Sequence, residues 1–599
     1  MFHSIDWLIL GAFFLIVLGI GFRASKLAGK NASEFFLSGR NMPWWLLGVS
    51  MVACTFSADT PNLVTDIVRT NGVAGNWVWW AFLLTGMLTV FVYAKLWRRS
   101  QVMTDLEFYE IRYSGKMASF LRGFRAIYLG LFFNVMIMGT VSLAAIKIGE
   151  VMFGMDKYTT IIIASFAVVV YATLGGLRGV IWADFFQFGI AMGGAVAAAV
   201  IALNQPEVGG FQGLITHEAL QGKLNFLPDF SNTALLIPIF VIPIAVQWWS
   251  VWYPGAEPGG GGYIAQRMLS AKDEKNAIGA TLLFNVAHYA LRPWPWIIVA
   301  LSSLIIFPEL SDISTRFPNI SEQYLKHDIA YPVMMTLLPK GLFGLVVASL
   351  VAAYMSTIGT HLNWGASYVV NDFYKRFIKP DATDKQMVFM GRLFTVILML
   401  LAAIVALWLQ NAKQAFDILL QIGAGTGLIF ILRWFWWRIN AYTEITAMII
   451  SFFVAVFFKL VIGSEVAAPG VAWYKIAHWQ LLLGIGITTA SWVLVTIFTK
   501  PEDDETLKGF VKLTRPGGPG WKEINTQLEA EGHSPITHQL PLEILCMVVG
   551  VFTVYGALFA TGFWVYGNTL PALICSVVAA AGTFFLFRIF GQLKTDPAQ

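Results

Sequence analysis

Apolar runs separated by short polar or basic connections repeat along almost the whole chain. Most are roughly 18–25 residues long, enough for a helix to cross about 30 Å of hydrocarbon. The pattern predicts spans at 5–22, 43–68, 76–96, 120–151, 159–174, 180–203 and 235–252. It continues at 278–306, 331–373, 387–409, 416–432, 442–462, 479–498, 542–563 and 570–587. The expected architecture is therefore an all-α integral membrane protein with about fifteen transmembrane helices. Two runs, 120–151 and 331–373, exceed one bilayer thickness and must tilt or bend. The longest polar stretches, 204–232, 308–327 and 499–539, fall between spans, and the last is expected to be a linker.

Two spans contain residues that a regular helix at membrane depth tolerates poorly. The run 235–252 leads into WWSVWYPGAEPGGGGYIAQ, with Pro254, Glu257, Pro258 and four consecutive glycines, Gly259 to Gly262. Proline removes a donor and glycine costs backbone entropy. The freed N–H and C=O groups survive only inside protein or beside a water-filled cavity. Five spans earlier, 43–68 carries Thr55, Ser57, Asp59, Thr60, Pro61 and Asn62 in sequence. Paired interruptions at corresponding positions are the pattern of a transport site built from two broken helices. Asp59 is a functional candidate by its depth. A third segment, in the inner half of 331–373, holds Ser349, Ser356, Thr357, Thr360, Asn363 and Ser367 in an otherwise apolar helix. Hydroxyls and freed carbonyls can ligate a hard cation such as Na+ without a fully buried charge.

Composition sharpens this picture. The chain has 599 residues, is 57% hydrophobic and is only 13% charged. Cys54, Cys546 and Cys575 are scattered, which suggests neither a disulfide framework nor a CxxC metal site. The first run has no basic n-region and no A-x-A site, so a retained helix is expected rather than a signal peptide. Basic residues cluster after every odd-numbered span: Arg23, Lys26 and Lys30, then Arg98 and Arg99, Arg178, Arg267 with Lys272 and Lys275, Lys375 and Arg376, Arg433 and Arg438, Lys508 and Lys512, and Arg588. That alternation predicts an N-terminus outside and a C-terminus in the cytoplasm of a plasma (inner) membrane. Motifs for hydrolytic, phosphoryl-transfer or zinc chemistry (HExxH, GxSxG, a P-loop, clustered His ligands) are missing, which argues against an enzyme. Nothing points to nucleic acid.

The residues also resemble the sodium:solute symporter family, which includes sodium/glucose, sodium/proline and sialic acid cotransporters. SGRNMPWWLLGVSMVACTFSADT is similar to its first core helix, and YATLGGLRGVIWADFFQ to its signature around Gly175–Gly176. YIAQRMLSAKD is similar to its inner-loop Q-R-x-L-[SA]-A-K element, and ASLVAAYMSTIGTHLNWGASYVVNDFY to its ion-binding helix. The resemblance implies a leucine-transporter-like fold: a core of two inverted five-helix repeats, 42–203 and 234–440. These would follow an extra N-terminal helix and loop (1–41), be joined by an outer loop (204–233), and be followed by accessory helices (441–599) with a cytoplasmic linker (499–541).

It further implies sodium as the coupling ion, held by the carbonyls of Ala53, Phe56 and Ala353 with the hydroxyls of Ser356 and Thr357. A second sodium site would use Asp184 with Ser356 and Thr360, but Gly359 stands where members with that site have serine. One sodium is therefore the expectation.

The polar set of the sugar carriers is not reproduced. Thr55 and Thr60 stand where they have Asn and Gln, Trp79 at their glutamate, His288 near their lysine, and Gln421 close to their glutamine. The candidate solute residues are thus Thr55, Asp59, Thr60, Trp79, Gln247, Trp249, Glu257, His288, Arg292 and Gln421. Arg292 can clamp a carboxylate bidentately or form an internal ion pair with Glu257 or Asp59. The expected function is a sodium-coupled importer of a small polar organic solute, anionic or zwitterionic, acting as a monomer or loose homo-oligomer. The alternatives are a sugar-type symporter and a transporter-like solute sensor.

Overall fold

The computed structural model describes residues 3–251, 257–318, 320, 322, 325–409, 425–465, 470–536 and 538–593. Eleven helices among them are long and apolar enough to cross a membrane. Several of the expected segments are joined or divided differently from the hydropathy pattern. The runs 159–174 and 180–203 form one helical stretch, Lys157–Leu203, bent at Gly176 (φ 53°, ψ −157°). That backbone favours glycine, and a Cβ there would sit 2.7 Å from the Phe35 carbonyl oxygen. The long run 331–373 is divided in the other sense. A short helix, Ala330–Met335, ends before Gly341 (φ 82°), and the membrane helix proper is Leu342–Ile378. The expected span 416–432 lies partly outside the described residues, which resume with the helix Gly427–Leu432.

Both anticipated interruptions are present. The first break separates Trp44–Cys54 from Thr60–Asn71, and Pro61 sits at the start of the second piece, where its missing N–H costs nothing. The second separates the piece 233–249 from Gly262–Ser270.

The helix Leu342–Ile378 is central: 83% of its apolar window is buried inside the protein, against 11% for the last helix, Thr569–Phe590. It packs along Lys157–Leu203 and the N-terminal helix Ser4–Ala28. Asp6, fully buried, accepts hydrogen bonds from the N–H groups of Gly341 and Gly344, both at 2.9 Å. A carboxylate thus caps the start of the central helix, where the helix dipole favours negative charge.

The stretch expected to be a linker contains two short helices, Asp504–Thr514 and Lys522–Ala530. Phe510 packs on Trp434 and Trp521, and the Trp521 indole N–H donates to the Trp434 carbonyl at 2.7 Å. Apolar positions hidden in a polar segment fasten it to the helix ends.

Several cations counted in the charge alternation turn inward. Arg98 donates to the Ala271 carbonyl at 2.8 Å, Arg433 meets Glu444 at 3.4 Å, and Arg267 meets Asp184 at 3.5 Å. The solvent-facing part of the pattern is carried by residues such as Arg23, Lys26, Lys30, Lys272, Lys275, Lys375 and Lys512.

Candidate ion and solute site

A helix that stops at membrane depth leaves its last carbonyls without intrahelical partners. At the end of Trp44–Cys54 each of the last four is met. The Met51 carbonyl accepts from the Cys54 thiol (3.1 Å), and the Val52 carbonyl accepts from the Thr55 hydroxyl (3.0 Å) and from Arg292 Nη1 (3.2 Å). The Ala53 carbonyl takes the Phe56 N–H at 3.0 Å, and the Cys54 carbonyl takes the Thr357 hydroxyl at 3.4 Å. Beyond the helix, the Thr55 carbonyl accepts from Arg292 Nη1 at 2.9 Å. The break is therefore flanked by two elements: the central helix through Thr357, and Glu274–Ile306 through Arg292.

On the central-helix side, Ala353, Ser356, Thr357 and Thr360 are all buried. The Ser356 hydroxyl donates to Asp184 Oδ1 at 2.6 Å, and Ser50 donates to Asp184 Oδ2 at 2.5 Å. Arg267, from Gly262–Ser270, the second piece of the second broken helix, enters the same cluster. Its Nη2 lies 2.7 Å from the Thr360 hydroxyl oxygen, its Nε lies 3.3 Å from Ser50 Oγ, and Nη1 reaches the Tyr263 carbonyl and Gln266 Oε1. Gln266 in turn donates to Asn363 Oδ1 and to the Phe36 carbonyl. The Tyr171 hydroxyl donates to the Met355 carbonyl at 2.6 Å, and a Cβ on Gly359 would fall 2.0 Å from that hydroxyl.

On the other side, Thr55, His288, Arg292 and Trp79 come together. Arg292 Nη2 is 3.0 Å from His288 Nε2. A guanidinium only donates, so Nε2 is the lone-pair nitrogen and the proton is on Nδ1, which donates to Thr55 Oγ1 at 3.2 Å. His288 is thereby held as a neutral imidazole. The guanidinium lies over Trp296, 5.5 Å from the ring centroid, and Trp79 meets His288 edge-on at 5.8 Å. Arg292 is 2% exposed and its Nε has no partner. Asp59 is half-buried, with Oδ1 buried and unpartnered.

Other expected solute residues are placed differently. The Thr60 hydroxyl accepts from the Ser57 N–H at 3.2 Å, a local turn contact. Trp249 Nε1 donates to the Ala245 carbonyl, and its own carbonyl presses against Gly427, where any Cβ would be 2.1 Å away. Gln247 begins the short turn that ends this piece. Glu257 does not pair with Arg292; it is buried against Arg125 Nη2 at 2.5 Å. Neither internal ion pair expected for Arg292, with Glu257 or with Asp59, is formed. Gln421 lies outside the described residues.

Sequence reasoning did not place Ser50, Tyr171, Gln266 and Arg267 at the site, whereas Asn363 belongs to the hydroxyl-rich helix it singled out. Arg267 had a usable signal. It follows the last glycine of the break by only five residues, and at 1.5 Å per residue that is too short a distance to leave the protein interior.

The sodium:solute symporter family is matched over residues 35–451. A sodium/glucose cotransporter of Vibrio parahaemolyticus is 27% identical over 474 residues, covering 76% of this chain and 85% of the relative. A sodium/mannose cotransporter of Bos taurus is 26% identical over 469 residues, covering 73% and 75%. The substrate-bound, outward-open structure of a Na+-coupled sialic acid symporter superposes with a TM-score of 0.67 at 20% identity. It covers 84% of this chain and 99% of that one, which establishes a shared fold. The chain is not an enzyme; it belongs to the sodium:solute symporter family and is a sodium-coupled solute symporter.

Proposed function

We propose that the protein imports a small anionic or zwitterionic organic solute with one sodium ion by alternating access, through two inverted repeats of the leucine-transporter type. The observation that carries the solute class is Arg292. It is a buried cation whose partners among the described residues are carbonyls, a hydroxyl and a neutral imidazole, and not a carboxylate. A buried charge without a counter-ion is costly. A solute carboxylate reaching the unused Nε–H relieves that cost, and does so only when the solute is bound. Asp59, which also has no ion-pair partner among the described residues, lies four residues beyond Thr55 and suits an ammonium group on the same solute.

Sodium is assigned to the carbonyls of Ala53, Phe56 and Ala353 with the hydroxyls of Ser356 and Thr357. The Thr357–Cys54 contact supports this by holding the two elements together. The second cation position, around Asp184, Ser356 and Thr360, is filled by the Arg267 guanidinium, which supports one sodium. Coupling requires sodium and solute each to favour the same conformational state. The exposed basic residues support the N-terminus-outside orientation.

The sugar reading rests on the names of the relatives, and the same experiment separates the two. Purified protein is heated with sodium and with carboxylates, amino acids or neutral hexoses, since a bound ligand stabilises the fold by mass action. Sodium-dependent stabilisation by a carboxylate-bearing solute, lost in Arg292→Met, is expected. Stabilisation by a neutral hexose that survives Arg292→Met would establish the sugar reading instead.

A further inference from the structure

A cavity of about 310 Å³ lies between the N-terminal helix, the outer end of Gly115–Ile148, the start of Lys157–Leu203 and the central helix. Its inner wall includes Ala58 from the first break and Tyr354 and Met355 from the central helix, all buried. Its exposed lining residues, Trp7, Gly11 and Ile163, mark its mouth. The helix surfaces beside that mouth carry Leu8, Leu15 and Phe166, each more than 70% exposed. In a membrane protein such side chains face lipid hydrocarbon.

Water has little to hold it here. The lining hydroxyls are already bonded: Thr160 donates to the Asp156 carbonyl at 3.0 Å, and the Tyr354 hydroxyl lies 3.2 Å from Ser142 Oγ. A buried water needs two to four polar partners, and a dry apolar cavity takes up hydrocarbon readily. The cavity also offers no charged side chain to a polar solute. What stands at its mouth is the bilayer.

We propose that this cavity is a lipid site occupied by one phospholipid acyl chain, whose end rests on Ala58 and Met355. The first break and the residue preceding Ser356 then form the floor of a hydrocarbon pocket. The site is separate from the Thr55–His288–Arg292 group and does not depend on which solute is carried.

The test uses full-length protein in nanodiscs containing phosphatidylcholine with a diazirine on one acyl chain, followed by peptide mapping. Ordinary surrounding lipid labels Leu8 and Phe166, whereas only an inserted chain labels Met355, Tyr354 or Ala58. We expect adducts on both sets in the native protein. In Gly11→Phe, and separately in the milder Ala164→Leu, the inner adducts should fall at least tenfold while the outer ones persist, which also shows that the variant has folded. Native protein labelled only at Leu8 and Phe166 would overturn the proposal, as would inner labelling unchanged in both variants.

Discussion

The two breaks solve one physical problem in opposite ways. At the first, the chain is interrupted by only five residues, Thr55 to Asp59, and the orphaned carbonyls are met by groups that can let go: a hydroxyl from Thr357, an arginine from a neighbouring helix, and a local turn. At the second, the end that leads into Gly262–Ser270 is fastened at many points. Glu257 pairs with Arg125, the Gly259 carbonyl accepts from Trp97 Nε1 at 3.0 Å, and the Gly262 N–H donates to Asp105 Oδ2 at 2.8 Å. Asp105 also accepts from Tyr368 on the central helix at 2.5 Å. Gly259 and Gly260 hold φ values of 82° and 89°, and Cβ atoms there would press on the Tyr93 ring and Met268. The first break is therefore held by contacts that can exchange partners. The second is arranged to keep its shape, carrying Arg267 toward the Asp184 cluster.

Variants can break this contrast. The largest effect is expected at the second site. Glu257→Ala leaves Arg125 buried with no counter-ion, and removing one partner of a buried pair costs about 3–5 kcal/mol. The unfolding temperature of purified protein should drop sharply, whether or not solute and sodium are present. At the first break, Arg292→Met should leave unfolding of the ligand-free protein much closer to native. It should cut uptake of a carboxylate solute about thirtyfold or more, since losing a charge-paired contact costs about 2–5 kcal/mol.

Smaller effects sharpen the ion assignment. Thr357→Ala should raise the sodium concentration for half-maximal uptake by about tenfold, equivalent to ~1.4 kcal/mol, while Thr357→Ser should largely restore it. At Gly359, a serine side chain must displace the Tyr171 hydroxyl from the Met355 carbonyl. Gly359→Ser should therefore lower stability by about 1–3 kcal/mol, in the range of an overpacked core, without adding a second sodium to the transport stoichiometry. Asp59→Asn should be the mildest change if the solute is purely anionic, and should cost about tenfold in apparent affinity if the solute carries an ammonium group.

Much of this was legible from residue types alone. Glycine and proline runs at membrane depth marked both breaks, because each removes or strains a backbone hydrogen bond whatever the tertiary setting. The hydroxyl-bearing helix was visible for the same reason: Ser356, Thr357 and Thr360 are costly in lipid unless they face a partner. Side-chain pairing was not legible. Glu257 and Arg292 are 35 positions apart and both face inward, so an ion pair between them was a fair expectation. The pairing is decided by Arg125, whose helix meets the loop from elsewhere in the fold. Arg267 was counted among the loop charges because hydropathy windows score composition and do not register depth. The same blindness joined Ala330–Met335 to the central helix, since an apolar turn reads as apolar helix until Gly341 reverses the backbone. The docked helices of 504–530 were hidden because their apolar faces are narrow and their net composition is polar.

The claim on which the account rests is that an ion sits between the first break and the central helix. The direct measurement is the sodium dependence of solute uptake into proteoliposomes by native protein, Thr357→Ala and Thr357→Ser, with expression and unfolding temperature matched. A tenfold rise in the half-saturating sodium concentration for the alanine variant, reversed by serine, is predicted. An identical sodium dependence in all three would contradict it.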